Sequence, residues 1–281
     1  KFSSFNTSKK RGPMKKILLT LLFSFIFCQS SWRYQPLDLV SIPTAGTLPK
    51  GNFAFENSFM DGGGILPKFL IGITDNFTMG FSFGMHNFIG TGDIVKNKDY
   101  PEVQIKYRIF DETDKIPAMV LGIDTQGRGM YHEFYVETDG NTGDIFYKDL
   151  NRYDQKAFGL YFVISRNFEA LGNFGIHAGI NKNFTEGDDR DEDVNLFFGF
   201  DKALNRSFSL FAEYNFARDD DGFNDNDEII KRDGKGYLNA GMRWAITSNF
   251  MLEVNVNDIG KNDEIKDSHN RQLKVVYFES F

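Results

Sequence analysis

Large apolar residues alternate with small or polar ones along nearly the whole chain after its first fifty residues, and this period of two is the strongest constraint on its fold. In Phe77 to His86, Phe77, Met79, Phe81, Phe83 and Met85 stand against Thr78, Gly80, Ser82, Gly84 and His86. That is a strand with one greasy face and one polar face. The pattern returns in Val103, Ile105, Tyr107 and Ile109 against Glu102, Gln104, Lys106 and Arg108, and in Val254 and Val256 against Glu253, Asn255 and Asn257. About twelve strands follow, near 50–60, 64–74, 76–86, 101–110, 117–126, 155–165, 172–182, 193–202, 207–217, 235–246, 249–258 and 271–281.

Their connections alternate in length. Short links such as Asp75-Asn76 and Thr247-Ser248 take turns with long ones at 87–100, 127–154, 183–192, 218–234 and 259–270, and only Asp61 to Gly64 is short out of turn. An even number of antiparallel strands of about ten residues, tight turns at one end and long loops at the other, predicts an all-β fold. It would be a single transmembrane barrel in the outer membrane of a Gram-negative bacterium, with both termini periplasmic. A soluble barrel would put its apolar face inside. Here the polar face is too rich in charge and glycine for that, and an open sheet in hydrocarbon would strand its edge hydrogen bonds, so closure is required.

Residues 1–31 carry Lys1, Lys9, Lys10, Arg11, Lys15 and Lys16 and no acid, then the apolar run Ile17 to Phe27 and the small-residue zone ending at Ser31. This layout predicts a leader and secretory signal peptide, with translation beginning at Met14 and cleavage near Ser30 or Ser31. Residues 32–49 are then a periplasmic N-terminal segment and 50–281 the barrel. The full chain has net charge -7 from 32 bases and 39 acids. Without the six leader bases it is more acidic still, which argues against a nucleic-acid partner. Most of the excess sits in the five long loops, 23 acids against 11 bases. Runs such as Asp188 to Asp193 and Asp219 to Asp221 are expected to be solvated, with divalent-cation bridging the sharper alternative.

With the polar face inward, the lumen receives Glu56, Lys68, Asp124, Asp201 and Lys274 among other charges that can pair. Glu102, Lys106, Arg108, Glu213, Arg243 and Glu253 are expected to line it as selectivity positions, while inward glycines, among them Gly122, Gly179, Gly199 and Gly241, leave room. Tyr107, Tyr214, Trp244 and Tyr277 are candidates for an interfacial girdle. The partners implied are outer-membrane lipid and lipopolysaccharide.

The last residues, Leu273 to Phe281, resemble the terminal strand that the barrel assembly machinery reads, with Glu279 out of pattern. The segment Asp38-Leu39-Val40-Ser41-Ile42-Pro43-Thr44-Ala45-Gly46-Thr47-Leu48-Pro49-Lys50-Gly51 resembles the opening of the YjbH-type barrels associated with exopolysaccharide systems. That resemblance implies an envelope location and a role in surface polysaccharide secretion.

The expected function is a small channel, or a component of polysaccharide or solute transport, passing a glycan or small solute. The alternatives are a barrel enzyme and a structural or adhesive barrel without conductance. No cofactor or metal is expected. An enzyme is not expected either: His177 is the one histidine well inside a strand, and no Ser or Asp at diagnostic spacing joins it in a triad. Tyr131, Phe134, Tyr135, Phe146 and Tyr147 in the 127–154 loop are expected to fold inward as a plug.

Overall fold

β1 (Asn52–Met60) pairs on one side with β2 (Gly64–Thr74) and on the other with β16 (Asn270–Ser280), and this double pairing closes the sheet on itself. In this computed structural model the residues described are 35–139, 142–169, 173–189, 191, 193–220, 235–262 and 270–281. The leader and signal expected over 1–31, and His269, fall outside them. Around the ring run β3 (Phe77–Ser82), β6 (Glu102–Phe110), β7 (Ala118–Asp124), β10 (Gly159–Phe168), β11 (Phe174–Lys182), β12 (Asn195–Ala203), β13 (Phe208–Asn215), β14 (Tyr237–Ala245) and β15 (Phe250–Asn257). The barrel therefore has twelve antiparallel strands, each overlapping one read from the periodicity. Two short strands, β4 (Met85–His86) and β5 (Val95–Lys96), decorate the long-loop end. There β8 (Arg128–Thr138) and β9 (Ile145–Gln155) form a separate hairpin above the wall between β7 and β10.

The polarity of the two faces follows the alternation. Phe55, Met79, Phe81, Val103, Tyr107, Leu121, Ile176, Phe198, Leu210 and Val254 are exposed on the outside, whereas Glu56, Ser58, Thr78, Ser82, Gln104, Asn181, Asn239 and Asn255 are buried within. A water-soluble barrel has the opposite arrangement; this one presents hydrocarbon-compatible side chains to its surroundings and satisfies its backbone by closure. Aromatic rings gather toward each rim. Near the short-turn end Phe208 stacks on Trp244 at 5.6 Å, and Phe53 lies 6.3 Å from Tyr277 and 6.4 Å from Phe281. Near the long-loop end Tyr214 meets Phe198 at 5.9 Å and Phe216 at 5.0 Å. Two such belts mark the levels at which amphipathic rings meet the water interface. Glu279, the residue out of pattern in the last strand, accepts hydrogen bonds from the Tyr277 hydroxyl at 2.8 Å and the Asn249 amide at 3.1 Å, which gives its carboxylate partners on the outer face.

The lumen is filled by the N-terminal segment. Residues 35–50 enter at the short-turn end, where the Lys50 amide donates to Asp75 at 3.0 Å. They rise into the barrel and double back, with a tight turn closed by Leu39 N–H to the Ile42 carbonyl at 3.0 Å and a bridge between Asp38 and Pro43. Gly46 is required at the foot of this turn, because a Cβ there would collide with the Pro36 carbonyl on the other leg. The plug buries Leu39, Val40, Ile42 and Ala45 against inward-facing Val120, Tyr161, Val163, Phe197 and Phe211, while Leu37 and Leu48 pack on Ala54, Leu70, Val276 and Phe278.

The inward glycines therefore do not leave open space. Gly122 lies under the Tyr161 ring, Gly179 under Phe197 and Gly241 under Phe211. Gly199 accommodates the plug tip itself, since a Cβ built there would stand 2.6 Å from Leu39 Cδ1 and 2.9 Å from Ile42 Cδ1. The expected plug from the 127–154 loop is likewise corrected: Phe134, Phe146 and Tyr147 are exposed on the outer hairpin. A two-stranded ribbon satisfies its own backbone outside the barrel, only its root residues Arg128 and Tyr153 reach inward, and the lumen is already occupied.

Candidate functional site

The plug backbone is gripped by charged residues of the wall and by Arg128 at the root of the outer hairpin. Glu213, inward on β13, accepts the amide N–H groups of Val40 at 2.8 Å, Ser41 at 2.9 Å and Ile42 at 3.1 Å, and also the Ser41 hydroxyl. A turn aims successive N–H groups at one point, and a buried carboxylate is the acceptor that binds such a set most strongly. Asn239 donates to the same carboxylate at 2.7 Å and holds it in place. Bases serve the carbonyl oxygens. Lys106 donates to the Leu37 carbonyl and to Thr44 O at 3.3 Å, Arg108 to Ala45 O at 3.2 Å, Arg243 to Asp38 O at 3.1 Å and Arg128 to Val40 O at 3.2 Å. The Asp38 carboxylate lies 2.8 Å from Lys274 and 4.0 Å from Lys68.

Of the six positions read from sequence, Lys106, Arg108, Glu213 and Arg243 thus touch the plug. Glu253 stands behind them, paired with Arg243 and with Lys274 at 3.2 Å. Glu102 faces inward but higher, bound by Lys98 at 2.6 Å and by the Tyr153 hydroxyl at 2.9 Å, so it belongs to the root of the outer hairpin. Arg128, Asp38 and Lys274 complete the grip. Sequence reasoning placed none of them among the selectivity positions, because their roles depend on a segment whose location periodicity does not reveal. A signal was present: the apolar run Leu37, Leu39, Val40, Ile42 lies outside any strand, and Val120, Val163, Phe197 and Phe211 stand on the nominally polar face.

His177 is brought into a chain that the sequence spacing did not show. The Ser165 hydroxyl lies 2.7 Å from His177 Nδ1, and His177 Nε2 lies 2.9 Å from Asp201. Ser165 Oγ also accepts the Ala45 amide at 2.8 Å, so this Ser-His-Asp row ends on the plug.

At the long-loop end, Asp189, Asp191, Asp219 and Asp220 of the acidic runs are drawn inward, whereas Asp188 and Asp193 stay exposed as expected. Asp189 and Asp220 are buried on either side of Arg152, Asp189 also binds Lys156 at 2.6 Å, and the Tyr237 hydroxyl donates to Asp220 at 2.6 Å. A buried guanidinium has to be matched by carboxylates, which is why these acids leave water. Burial pushes Asp219 up to about 7, helped by neighbouring Asp220 and opposed by Lys156. Burial also pushes Glu186 up to about 7, against the amides of Ala157 and Tyr153 and the charge of Arg152. Both carboxyls are thus more protonated in the packed loops than in open ones between about pH 4 and 7, so packing strengthens as pH falls and weakens as pH rises through 7. Protease nicking within 183–220, normalised to an unfolded peptide at each pH, is expected to be several-fold slower at pH 5 than at pH 8.

Between this cap and the plug tip remains a cavity of about 60 Å³, bordered by Asp38, Lys68, Arg128, Asp220, Tyr237 and Lys274. That is room for roughly two water molecules. Among the described residues, the plug and the loop residues over it occupy the lumen.

No family model matches the sequence, and no curated protein is similar to it. Among solved structures, the chain is similar to the KdgM porin, with a TM-score of 0.45 and 9% identity over 82% of this chain and 99% of that one. It is similar to the NanC porin with a TM-score of 0.37 and 10% identity over 81% and 99% of the two chains. For the outer membrane channel DcaP of Acinetobacter baumannii the values are 0.30 and 10%, over 82% and 96%. None of these is a YjbH-type barrel, and the stretch Asp38 to Gly51 that led to that expectation is part of the plug.

Proposed function

We propose that this protein is an outer-membrane barrel that works as a gated conduit for a small solute or glycan, closed by its own N-terminal segment. The observation that carries this reading is the division of labour in the lumen. Wall charges at Lys106, Arg108 and Glu213, with Arg128 from the hairpin root, are spent on a segment that among the described residues continues into the barrel at Lys50-Gly51, so its withdrawal exposes a polar passage. A barrel built only for anchorage could fill its lumen with wall side chains, as eight-stranded barrels do. In this reading the termini and short turns face the periplasm, and the acidic loops and outer hairpin face outward among lipopolysaccharide. β16, ending at Phe281, addresses the assembly machinery. The resemblance of Asp38 to Gly51 to exopolysaccharide-associated barrels favours a glycan as cargo.

Solute entry into proteoliposomes holding the full mature chain tests this. Swelling in small sugars is expected to be slow but above that of protein-free vesicles. Rates equal to the empty control, for both the intact chain and one lacking its plug, would refute a conduit.

The Ser165, His177 and Asp201 row favours a second reading, a hydrolase uncovered when the plug leaves. Its Ser165 hydroxyl is engaged by Ala45 and faces the lumen, where lipid does not reach. Purified protein is expected to release no fatty acid from phospholipid and no product from ester substrates. Turnover abolished by His177→Ala would establish the enzyme instead.

A further inference from the structure

We propose that the lumen wall carries a binding site for a carboxylate-bearing solute, formed by Lys68, Lys106 and Lys274 and held in the closed state by the plug's own Asp38 as a tethered ligand. The three lysines come from β2, β6 and β16, neighbouring parts of one wall, and all point inward. Asp38 Oδ1 accepts from Lys274 at 2.8 Å, Asp38 Oδ2 lies 4.0 Å from Lys68, and Lys106 binds the carbonyls of Leu37 and Thr44 on either side of the turn. Two wall acids also face this group: Glu253 lies 3.2 Å and Glu56 3.9 Å from Lys274, and Glu56 is paired in register with Lys68.

Charge around the plug is unbalanced without Asp38. The wall contributes the bases Lys68, Lys106, Arg108, Arg243 and Lys274 and the hairpin root adds Arg128, against the acids Glu56, Asp124, Asp201, Glu213 and Glu253. Withdrawal of the plug therefore leaves cations in excess within a confined space, where they bind an incoming anion in place of the lost one. The plug also shows what shape of ligand the wall accepts. It presents one carboxylate flanked by carbonyl oxygens taken by Lys106, Arg108, Arg128 and Arg243. An acidic sugar, with one carboxylate among ether and hydroxyl oxygens, offers the same pattern. The 60 Å³ cavity above the plug borders Asp38, Lys68 and Lys274, so the site adjoins the passage from the long-loop side.

The physiological role rests on the conduit reading; binding itself does not. Asp38→Ala removes the plug's carboxylate from between Lys274 and Lys68, leaves Lys274 only Glu253 and Glu56, and opens space for a small anion. In the full mature chain folded in detergent, formate at tens of millimolar is expected to raise the unfolding temperature of Asp38→Ala by several degrees. Formamide, or sodium chloride at equal ionic strength, should not, and neither should formate on the unsubstituted chain. Adding Lys274→Gln should remove the response. Asp38→Ser leaves similar space and is the second variant should Asp38→Ala fail to fold. A formate response no larger than that to chloride, or equal in the unsubstituted chain, overturns the site. In planar bilayers Asp38→Ala should also become more permeable to chloride than to potassium, with glucuronate, and not glucose, interrupting the current. Formate rescue, with a bilayer that stays silent even for the chain lacking residues 35–46, would uphold the site and refute the conduit. Current without rescue or glucuronate block would do the reverse.

Discussion

Deleting residues 35–46 from the mature chain is expected to turn a closed barrel into a conducting one, raising single-channel conductance at least roughly tenfold over the intact protein. The deletion spares Thr47 to Gly51, which anchor the segment at the rim through Asp75 and Thr78, and removes everything that crosses the bore. Twelve strands enclose a lumen wider than the one side chains alone fill in eight-stranded barrels. The plug packs into that lumen against Val120, Tyr161, Phe197 and Phe211, with a cavity of about 60 Å³ beside its tip. A sample that still shifts on heating in gel electrophoresis, and so is folded, should show steps that the intact chain shows only rarely. If the two give the same currents, inward Tyr161, Phe197 and Phe211 close the passage themselves and the plug is only a part of the core.

Glu213→Gln is expected to free the plug tip while leaving the strands in place. The native carboxylate accepts from three successive amides, a hydroxyl and Asn239. Glutamine offers one acceptor oxygen and turns an NH₂ group toward amide donors. Losing charge-assisted bonds in a buried site costs about 3 kcal/mol, a shift of roughly 100-fold in the docking equilibrium. A cysteine placed at Val40, in a Cys28→Ser background, reports it. Val40 is buried in the docked plug, so a membrane-impermeant maleimide should label it far faster in the Glu213→Gln chain. Equal labelling rates would show that the apolar contacts of Leu39 and Ile42 hold the tip without the carboxylate.

The strands and their inside-out polarity were legible because alternation is a local property: each inward residue is two positions from the next, whatever the other strands do. Thus Glu56, Lys106, Glu213 and Glu253 could be placed facing the axis from sequence alone. Their partners could not. Glu213 meets Val40 across 173 residues and Lys274 meets Asp38 across 236, and no pattern within one strand encodes such pairs. The glycines misled for the same reason. Gly199 and Gly241 read as vacant positions on their own strands, yet they are small to admit Leu39 and the Phe211 ring. The acidic loops misled through composition, which counts carboxylates but does not show that Arg152 lies buried among them.

The distances along the chain that the plug contacts span also dictate an order of events in biogenesis. The segment precedes every strand of the barrel, but its sockets are distributed from β2 to β16, so the set is complete only when the final strand zips against β1. Contacts of such long sequence separation form slowly. Until then Leu39, Val40 and Ile42 travel as an uncovered greasy loop, a hazard for aggregation that a periplasmic holdase chaperone would have to shield. Seating of the plug would then be the last step of maturation and a built-in report that the ring has closed.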